Sequence, residues 1–558
     1  MPALLPMNGT EAGRAGLLEF ERLQPDNFWR SDAHLQRVVK HLGGEATKGW
    51  LDGLDRFGAE CAGPIDTAVR SSNLPQNLPR LDRWSPYGER VEEVEFHPSY
   101  HEAGAMIYGS GVMSVLGDWG GNLRSMALFY LSSHNGEAGH NCPLACTAGL
   151  IKAVKAVGSP ELQERYLGRL LSNDYAALAH GAQFLTEVQG GSDVGANAVR
   201  AVPDSSGVAP YRIHGEKWFC SNCTADLILM TARPEGAPEG TKGLGLFLVP
   251  RRLPDGTLNH YALRRLKEKL GTRSMASAEI DFQGAYAWNV GEVSQGFNTV
   301  MTWVINTSRV VNAFGCAGIA RRASITAHTY AQARSAFGTA IANYPLVQET
   351  LADMRTETDA MVSGSLYLAH LMDRAETGKL AEADAAYLRM AVNVNKMRTA
   401  VSSHEVALEG IEVLGGNGAI ETFSVLPRLL RDNVVFENWE GTHNVLITQV
   451  WKDSQRKGMH KAFFAHLAAQ AKGDARLTAS VDSCAKRFAE TLDAPDDVAT
   501  LRMRPLTSEA AWLVWACAMA NDGTERAVID HFLDRRIGPQ APRDAAYAKR
   551  IKELAARP

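Results

Sequence analysis

The chain has 558 residues, which is too long for one hydrophobic core and predicts three or four domains. Its composition, 45% hydrophobic and 22% charged with a net charge of −4, predicts a soluble globular protein without the bulk positive charge that attracts nucleic acid or anionic membranes. No apolar run reaches the roughly 18 residues of a membrane span, and the N-terminus lacks a secretory signal pattern. Eight cysteines in so long a chain predict free thiols in a reducing cytoplasm.

The first 180 residues are predicted to be helical. Residues 27–44 have helical spacing of apolar positions, with Asp32 or Ser31 as the cap and Gly43-Gly44 as the stop. Residues 71–90, SSNLPQNLPRLDRWSPYGER, are interpreted as a polar joint between helices. A run rich in small residues at 105–122 indicates buried helices or the lining of a channel.

The pattern changes near Tyr175. Residues 181–288 contain short β-like segments separated by Gly, Pro, Asn and Asp, which predicts a small sandwich or barrel. Residues 289–447 return to long helices, and a helical tail follows from residue 448. The predicted fold class is therefore α+β, with a helical domain (1–180), a β domain (181–288), a second helical domain (289–447) and an extra helical region (448–558).

The stretch RDNVVFENWEGTHN places Glu440 between a bulky Trp439 and a small Gly441. A carboxylate among apolar groups loses hydration, and its proton affinity rises toward that of a useful base. The glycine keeps side-chain bulk away from an approaching ligand. Taken alone, Glu440 is more often a surface residue before a helix-ending glycine, so its chemistry depends on the other motifs.

Four further motifs precede Glu440. TEVQGGSD (186–193) offers backbone N–H groups and hydroxyls to a phosphate or a flavin edge. GEKWFCSN (215–222) ends a strand with aromatic rings that can cover a flat cofactor. RSAFG (334–338) offers an arginine to phosphate, and LGGNG (414–418) stops a helix in a loop that another backbone can approach. Each motif alone also fits a purely structural turn, strand edge or helix end.

Two cysteine pairs, Cys142/Cys146 and Cys220/Cys223, have spacings that occur in zinc sites. One CxxC without a partner pair is a weak signal, so we predict no metal. His97 and His101 are separated by a helical turn that contains Pro98, and they are interpreted as structural histidines.

In this order and at these spacings, the five motifs resemble the acyl-CoA dehydrogenase flavoprotein family over about residues 90–447. FHPSYHE (96–102), KWFCS (217–221) and RRLPDGTLNHYALRRLKEKLGTRSMAS (251–277) resemble its alkylation-response, AidB-like branch. The resemblance implies FAD bound between a middle β domain and the last helices of a four-helix domain. It also implies a homotetramer built as a dimer of dimers.

The resemblance assigns most motif residues to FAD. Phe219 matches the ring over the flavin, although a one-residue shift would give that place to Trp218, and Pro345 stands where many members have Gln. Arg334 and Phe337 match contacts that reach across a dimer. The full set assigned to FAD is Leu185, Thr186, Ser192, Phe219, Ser221, Arg334, Phe337, Gly415, Gly416, Thr442 and Asn444.

Glu440 matches the family's catalytic base. Some members carry the base just before the arginine that is here Arg309, but Ser308 occupies that position and has no carboxylate. The implied reaction is α,β-desaturation of an acyl-CoA, in which Glu440 removes the α-proton and a hydride passes to flavin N5. Arg309 and Gly441 are assigned to the substrate. The implied partners are acyl-CoA and an electron-transfer flavoprotein or similar acceptor, within fatty acid metabolism.

Two alternatives stay open. Residues 446–558 carry 18 Lys/Arg and 14 Asp/Glu, a net +4 against −8 for the rest, so an AidB-like DNA-binding flavoprotein with weak dehydrogenase activity is the second interpretation. A flavin oxidase on the same fold is the third.

Overall fold

A computed structural model describes residues 11–538 and 540–558. The chain starts with a helical part. Its elements are α1 Glu11–Arg22, α2 Phe28–Ser31, α3 Ala33–Gly43, α4 Leu51–Ala62, α5 Pro64–Ser72, β1 Arg80–Trp84, β2 Arg90–Glu95, α6 Pro98–Gly109, α7 Asn122–Ser133, α8 Asn141–Val157 and α9 Pro160–Leu170. Asp32 caps α3 as predicted, because its carboxylate accepts from the Leu35 N–H at 2.8 Å.

The middle part is a β domain, as predicted. Its strands are β3 Gly181–Phe184, β4 Arg200–Pro203, β5 Tyr211–Ser221, β6 Leu227–Pro234, β7 Gly245–Pro250, β8 Tyr261–Leu266 and β9 Ser277–Asn289. The pairings β6–β4, β4–β5, β5–β9, β9–β7 and β7–β6 close a ring, with β3 beside β6 and β8 beside β9. A closed ring of strands has no free edge, and this one encloses a hydrophobic cluster of its own.

Long helices follow the barrel. They are α10 Gly296–Thr299, a π-helical segment Val300–Ile305, α11 Asn306–Ala333, α12 Pro345–Glu376, α13 Glu382–Leu414, α14 Leu426–Asn438, α15 His443–Lys457, α16 Met459–Gln470, α17 Ala475–Leu492, α18 Asp496–Asn521, α19 Arg526–Arg536 and α20 Ala545–Leu554. A hairpin of β10 Ser335–Ala336 and β11 Thr339–Ala340 joins α11 to the 3-10 turn before α12. Within the described ranges, every helix is too short or too polar to cross a membrane.

The predicted fold class is confirmed, but one element was missed. Residues 71–90 are not only a joint, because β1 and β2 form an antiparallel hairpin within the part predicted to be helical. The two strands are mostly charged, so their alternation is weak. The hairpin nevertheless docks on the barrel: the buried Glu92 accepts from the Leu263 N–H of β8 at 2.9 Å, and Leu81 and Val94 pack on the barrel core.

The helices after residue 448 pack against α12 and α13 rather than forming a separate appendage. Trp515 of α18 is fully buried and donates to Asn395 of α13 at 2.7 Å. A Cβ at Gly364 of α12 would lie 2.2 Å from the Trp515 ring, so only glycine leaves room for it. Ion pairs complete the contact: Asp353 of α12 accepts from His531 at 2.7 Å and from Arg535 at 2.8 Å.

We predict that Asp353→Asn loosens the tail. Burial raises the pKa of the Asp353 carboxyl, but the hydrogen bond from His531 and the charge of Arg535 outweigh it and hold the pKa below its usual range. An amide would weaken the bonds from His531 and Arg535 because it removes the negative charge at their shared acceptor, and the free energy of unfolding should fall by about 2 kcal/mol. Urea unfolding followed by circular dichroism measures this. The exposed Asp493→Asn is the matched control, and equal stability of the two variants would contradict the prediction.

Candidate active site

The site is built on a strained turn between α14 and α15. Glu440 has φ +57, in the left-handed region that a non-glycine residue rarely adopts, and Gly441 follows with φ +103. Such a conformation costs free energy and persists only when the surroundings hold it. Glycine is the residue that accepts the second of these angles without strain.

Two buried cations hold this turn. The Arg309 Nε of α11 donates to the Glu440 carbonyl at 3.0 Å, and Asn393 of α13 binds the other end of the guanidinium at 2.6 Å. Lys396, one turn further along α13, donates to the carbonyls of Glu437 and Gly441, each at 3.0 Å. The backbone on both sides of Glu440 is therefore fixed by charge-assisted hydrogen bonds.

Apolar groups lie next to Glu440, but its carboxylate also faces two cations and the Gln183 amide. The adjacent Trp439 packs against a small buried cluster formed by Cys142, Cys146 and Met275. Burial raises the pKa of Glu440 to about 7, although the charges of Arg309 and Lys396 and a hydrogen bond from Gln183 oppose the rise. Burial also lowers the pKa of Lys396 to about 8 and that of Arg309 to about 10. Glu440 thus has the proton affinity of a base that works near neutral pH.

Gln183 is a site residue that the sequence analysis missed. Its Nε2 donates to Glu440 Oε1 at 3.1 Å and to Ser308 Oγ at 3.0 Å. The sequence pattern that could have revealed it is the alternation in β3, where Ala182 and Phe184 are buried in the barrel core. Alternation along a strand sends the residue between them to the opposite face, so a glutamine there faces the helices and the site.

The first two motifs are joined by a buried ion pair. Lys217 of β5 donates to Glu187 at 2.8 Å and to the Leu185 carbonyl at 3.0 Å, and the Trp218 N–H donates to the Thr186 carbonyl at 3.0 Å. These bonds fix the strand end that carries Leu185 and Thr186 beside β5.

Both aromatic residues of the second motif lie outside the barrel. Lys217 and Cys220 are buried, and the β5–β9 register shifts between them, so a bulge turns Trp218 and Phe219 outward together. The Phe219 ring is 54% exposed and lies 6.5 Å from the Trp218 ring. Ser221 follows at the strand end, with its hydroxyl 3.0 Å from that of Ser277.

The third and fourth motifs lie far from Glu440 within the same chain. Arg309 and Ala333 stand at the two ends of α11, about 36 Å apart at 1.5 Å per residue. Arg334 and Phe337 follow Ala333 in the β10–β11 hairpin, where the Phe337 ring is 99% exposed. Asn417 donates to Tyr330 at 3.1 Å, so the loop of Gly415 and Gly416 also lies near this far end of α11.

Thr442 and Asn444 open α15 beside the site. Thr442 is the N-cap residue, and its side chain makes no capping hydrogen bond. Asn444 accepts from Arg504 of α18 at 2.8 Å, so the tail contributes a guanidinium here. Ser192 is exposed in the turn of the first motif.

The residues present fit a flat, phosphate-bearing cofactor. Exposed aromatic rings, the hydroxyls of Thr186, Ser192 and Thr442, and glycines such as Gly416 with nothing near a Cβ position offer stacking faces, donors and close backbone approach. A Cβ at Gly191 would lie 2.4 Å from Thr186 Oγ1, so this glycine leaves room for the threonine hydroxyl. FAD would be held by these groups.

Comparison with known proteins identifies the class. The adaptive response protein AidB N-terminal domain matches residues 19–177, the acyl-CoA dehydrogenase middle domain matches 182–285, and the acyl-CoA dehydrogenase C-terminal domain matches 294–454. The chain belongs to the acyl-CoA dehydrogenase family, and the expected AidB-like branch is confirmed.

Individual relatives are similar over most of the chain. Acyl-CoA dehydrogenase family member 11 of Caenorhabditis elegans is 30% identical over 546 residues, 93% of this chain and 86% of that protein. The putative acyl-CoA dehydrogenase AidB of Escherichia coli K12 is 31% identical over 442 residues, 77% of this chain and 78% of that protein. The structure of C. elegans ACDH-11 in complex with C11-CoA has a TM-score of 0.84 at 28% identity and covers 94% of both chains. An acyl-CoA dehydrogenase from Bacillus anthracis complexed with FAD shares the fold, with a TM-score of 0.69 at 16% identity over 94% of both chains.

We predict that Glu440 titrates near pH 7 rather than near the ordinary 4.5. Infrared difference spectroscopy of the carboxyl band, with Glu440→Gln as the blank, measures the midpoint directly. Lys396→Met should raise the pKa further, because it removes a positive charge that favours the ionised form. A midpoint near 4.5 in the wild-type protein would contradict the prediction.

Proposed function

We propose that the protein is an FAD-dependent acyl-CoA dehydrogenase that desaturates a thioester between its α and β carbons, with Glu440 as the base. The observation that carries this proposal is a carboxylate on a strained turn that two buried cations hold in place, where burial raises its pKa. The α-proton of a thioester is weakly acidic, so its removal requires a positioned base with suitable proton affinity. The ionised Glu440 carboxylate can take that proton.

The second requirement is a donor for the charge that develops on the thioester oxygen. In the described residues, the Glu440 N–H donates to no acceptor, because it follows the last N–H bonded in α14, that of Trp439. A backbone N–H fixed beside the base can stabilise the developing enolate. Bound FAD supplies the acceptor for the hydride that leaves the β carbon. Trp439 and its neighbouring apolar cluster exclude water from the reacting carbons.

The FAD contacts assigned from sequence divide into two groups. Leu185, Thr186, Ser192, Phe219, Ser221, Thr442 and Asn444 lie on the barrel face and around the start of α15. Arg334 and Phe337, with Gly415 and Gly416, lie at the far end of α11, about 36 Å along the helix from Arg309. One cofactor that meets both groups would take the second group from another copy, which supports assembly of at least two copies. An electron-transfer flavoprotein or a similar acceptor would reoxidise the flavin.

The tail favours the dehydrogenase over the DNA-binding interpretation. Its arginines that pair with carboxylates are Arg476, Arg487, Arg526, Arg535, Arg536, Arg543, Arg550 and Arg557. A guanidinium that is already neutralised by a carboxylate has little left to offer a phosphate backbone. Three of these arginines, Arg535, Arg536 and Arg543, pair with carboxylates of α12, so part of the net +4 of residues 446–558 is offset within the fold.

We predict that acyl-CoA bleaches the bound flavin under anaerobic conditions in the wild-type protein but not in Glu440→Gln. The panel runs from short and branched chains to about eleven carbons, the length present in the ACDH-11 complex. The rate should rise with pH through about 7, because the base must be ionised. Stopped-flow absorbance measures it.

The exposed Glu412→Gln is the matched control and should bleach normally. Bleaching of Glu440→Gln at the wild-type rate would remove Glu440 as the base. Salt-dependent retention on duplex DNA would instead favour the DNA-binding interpretation, and peroxide formation without an added acceptor would favour an oxidase.

A further inference from the structure

The Gln183 side chain lies between β3, α8, the start of α11 and the turn that carries Glu440. It leaves β3 on the face turned away from the barrel core and meets Glu440 and Ser308 through Nε2. Its Oε1 lies beside α8, where a Cβ on Gly149 would stand 3.5 Å away. The same Cβ would come within 3.0 Å of Val304 in the π-helical segment. The amide is thus enclosed by a strand, two helices and the base itself.

The orientation of the amide is fixed by its partners. A carboxylate only accepts hydrogen bonds when it is ionised, so the amide nitrogen must face Glu440. Ser308, which is 1% exposed, accepts the second N–H and restricts rotation of the amide. Gln183 Oε1 is buried and accepts no hydrogen bond in the described residues. The side chain therefore points a donor, not an acceptor, at the base.

We infer that Gln183, anchored by Ser308, is a positioning residue that favours the ionised form of Glu440 and fixes which carboxylate oxygen is free. This inference rests on the proposed function, because it concerns the base of that reaction. The amide occupies Oε1, and in the described ranges Oε2 has no hydrogen-bond partner, so Oε2 is the oxygen that takes the proton. Ser308 acts on the base only through Gln183.

The other charges around Glu440 come from different elements. Arg309 of α11 and Lys396 of α13 are the cations whose fields reach the carboxylate. Lys396 in turn faces Cys316 and Glu437. Both cations are bound to the backbone of the turn, so they remain in place when Gln183 is changed. A shift that follows substitution of Gln183 can therefore be assigned to the lost donor.

The test is the pH dependence of anaerobic flavin reduction in holoenzyme carrying Gln183→Leu. Loss of a hydrogen bond to a charged group should raise the pKa of the base by about one unit, which slows reduction about tenfold on the acid side. At pH values well above both midpoints the rate should match that of the wild-type enzyme. A variant that only disturbed packing would lower the rate at every pH and would leave the midpoint in place.

Ser308→Ala completes a double-mutant cycle. Alone, Ser308→Ala should shift the acid limb of the pH profile upward by less than Gln183→Leu does, because the amide loses its anchor but still donates to Glu440. In the Gln183→Leu background, Ser308→Ala should leave the pH midpoint of flavin reduction unchanged, because Ser308 acts on Glu440 only through the Gln183 amide. Equal shifts in both backgrounds, or an unshifted Gln183→Leu profile, would overturn the inference. Gln283→Leu, an exposed glutamine of β9, is the matched control.

A substrate-free measurement separates this inference from the proposed function. The carboxyl titration of Glu440 by infrared difference needs no acyl-CoA, and it should also move up by about one unit in Gln183→Leu. If Gln183→Leu does not fold, Gln183→Met conserves the side-chain volume and is measured instead. If no acyl-CoA bleaches the flavin of the wild-type protein, the proposed function is wrong. If the infrared midpoint of Glu440 is the same in Gln183→Leu as in the wild type, the role of Gln183 is wrong.

Discussion

The turn that carries Glu440 depends on two cations that are themselves buried. Arg309 and Lys396 would be costly in the interior without partners, and the partners they find are backbone carbonyls on either side of the base. These hydrogen bonds hold Glu440 in a left-handed backbone conformation. Because α11 and α13 each contribute one cation, the packing of these two helices sets the geometry of Glu440. The position of this carboxylate is therefore a property of the helical core.

The barrel supplies the other half of the site through one strand end. The buried pair of Lys217 and Glu187 ties the first motif to β5, and Gln183, two residues before Leu185, reaches across to the helical core. A displacement of β3 would move Leu185 and the donor to Glu440 together. The β domain and the helical domain are thus fixed against each other at Glu440.

The sequence predicted the order of helices and strands, because periodicity and local composition are encoded within short stretches. It did not reveal the β1–β2 hairpin, whose charged strands hide their alternation and whose buried Glu92 gains a partner only from β8. It did not reveal Gln183 either, because the role of that side chain comes from Ser308 and Glu440, which are 125 and 257 residues away. Local patterns show which element forms, whereas long-range contacts decide what one side chain on that element does. The roles of the individual FAD residues stay predictions for the same reason.

Gln183 also stands between the two positions at which the family resemblance places a base. Its nitrogen is 3.0 Å from the Ser308 oxygen and 3.1 Å from a Glu440 oxygen. One amide nitrogen therefore binds a side-chain oxygen at each of the two positions. Carboxylates at both positions would compete for this donor, and their mutual repulsion would raise the pKa of one of them.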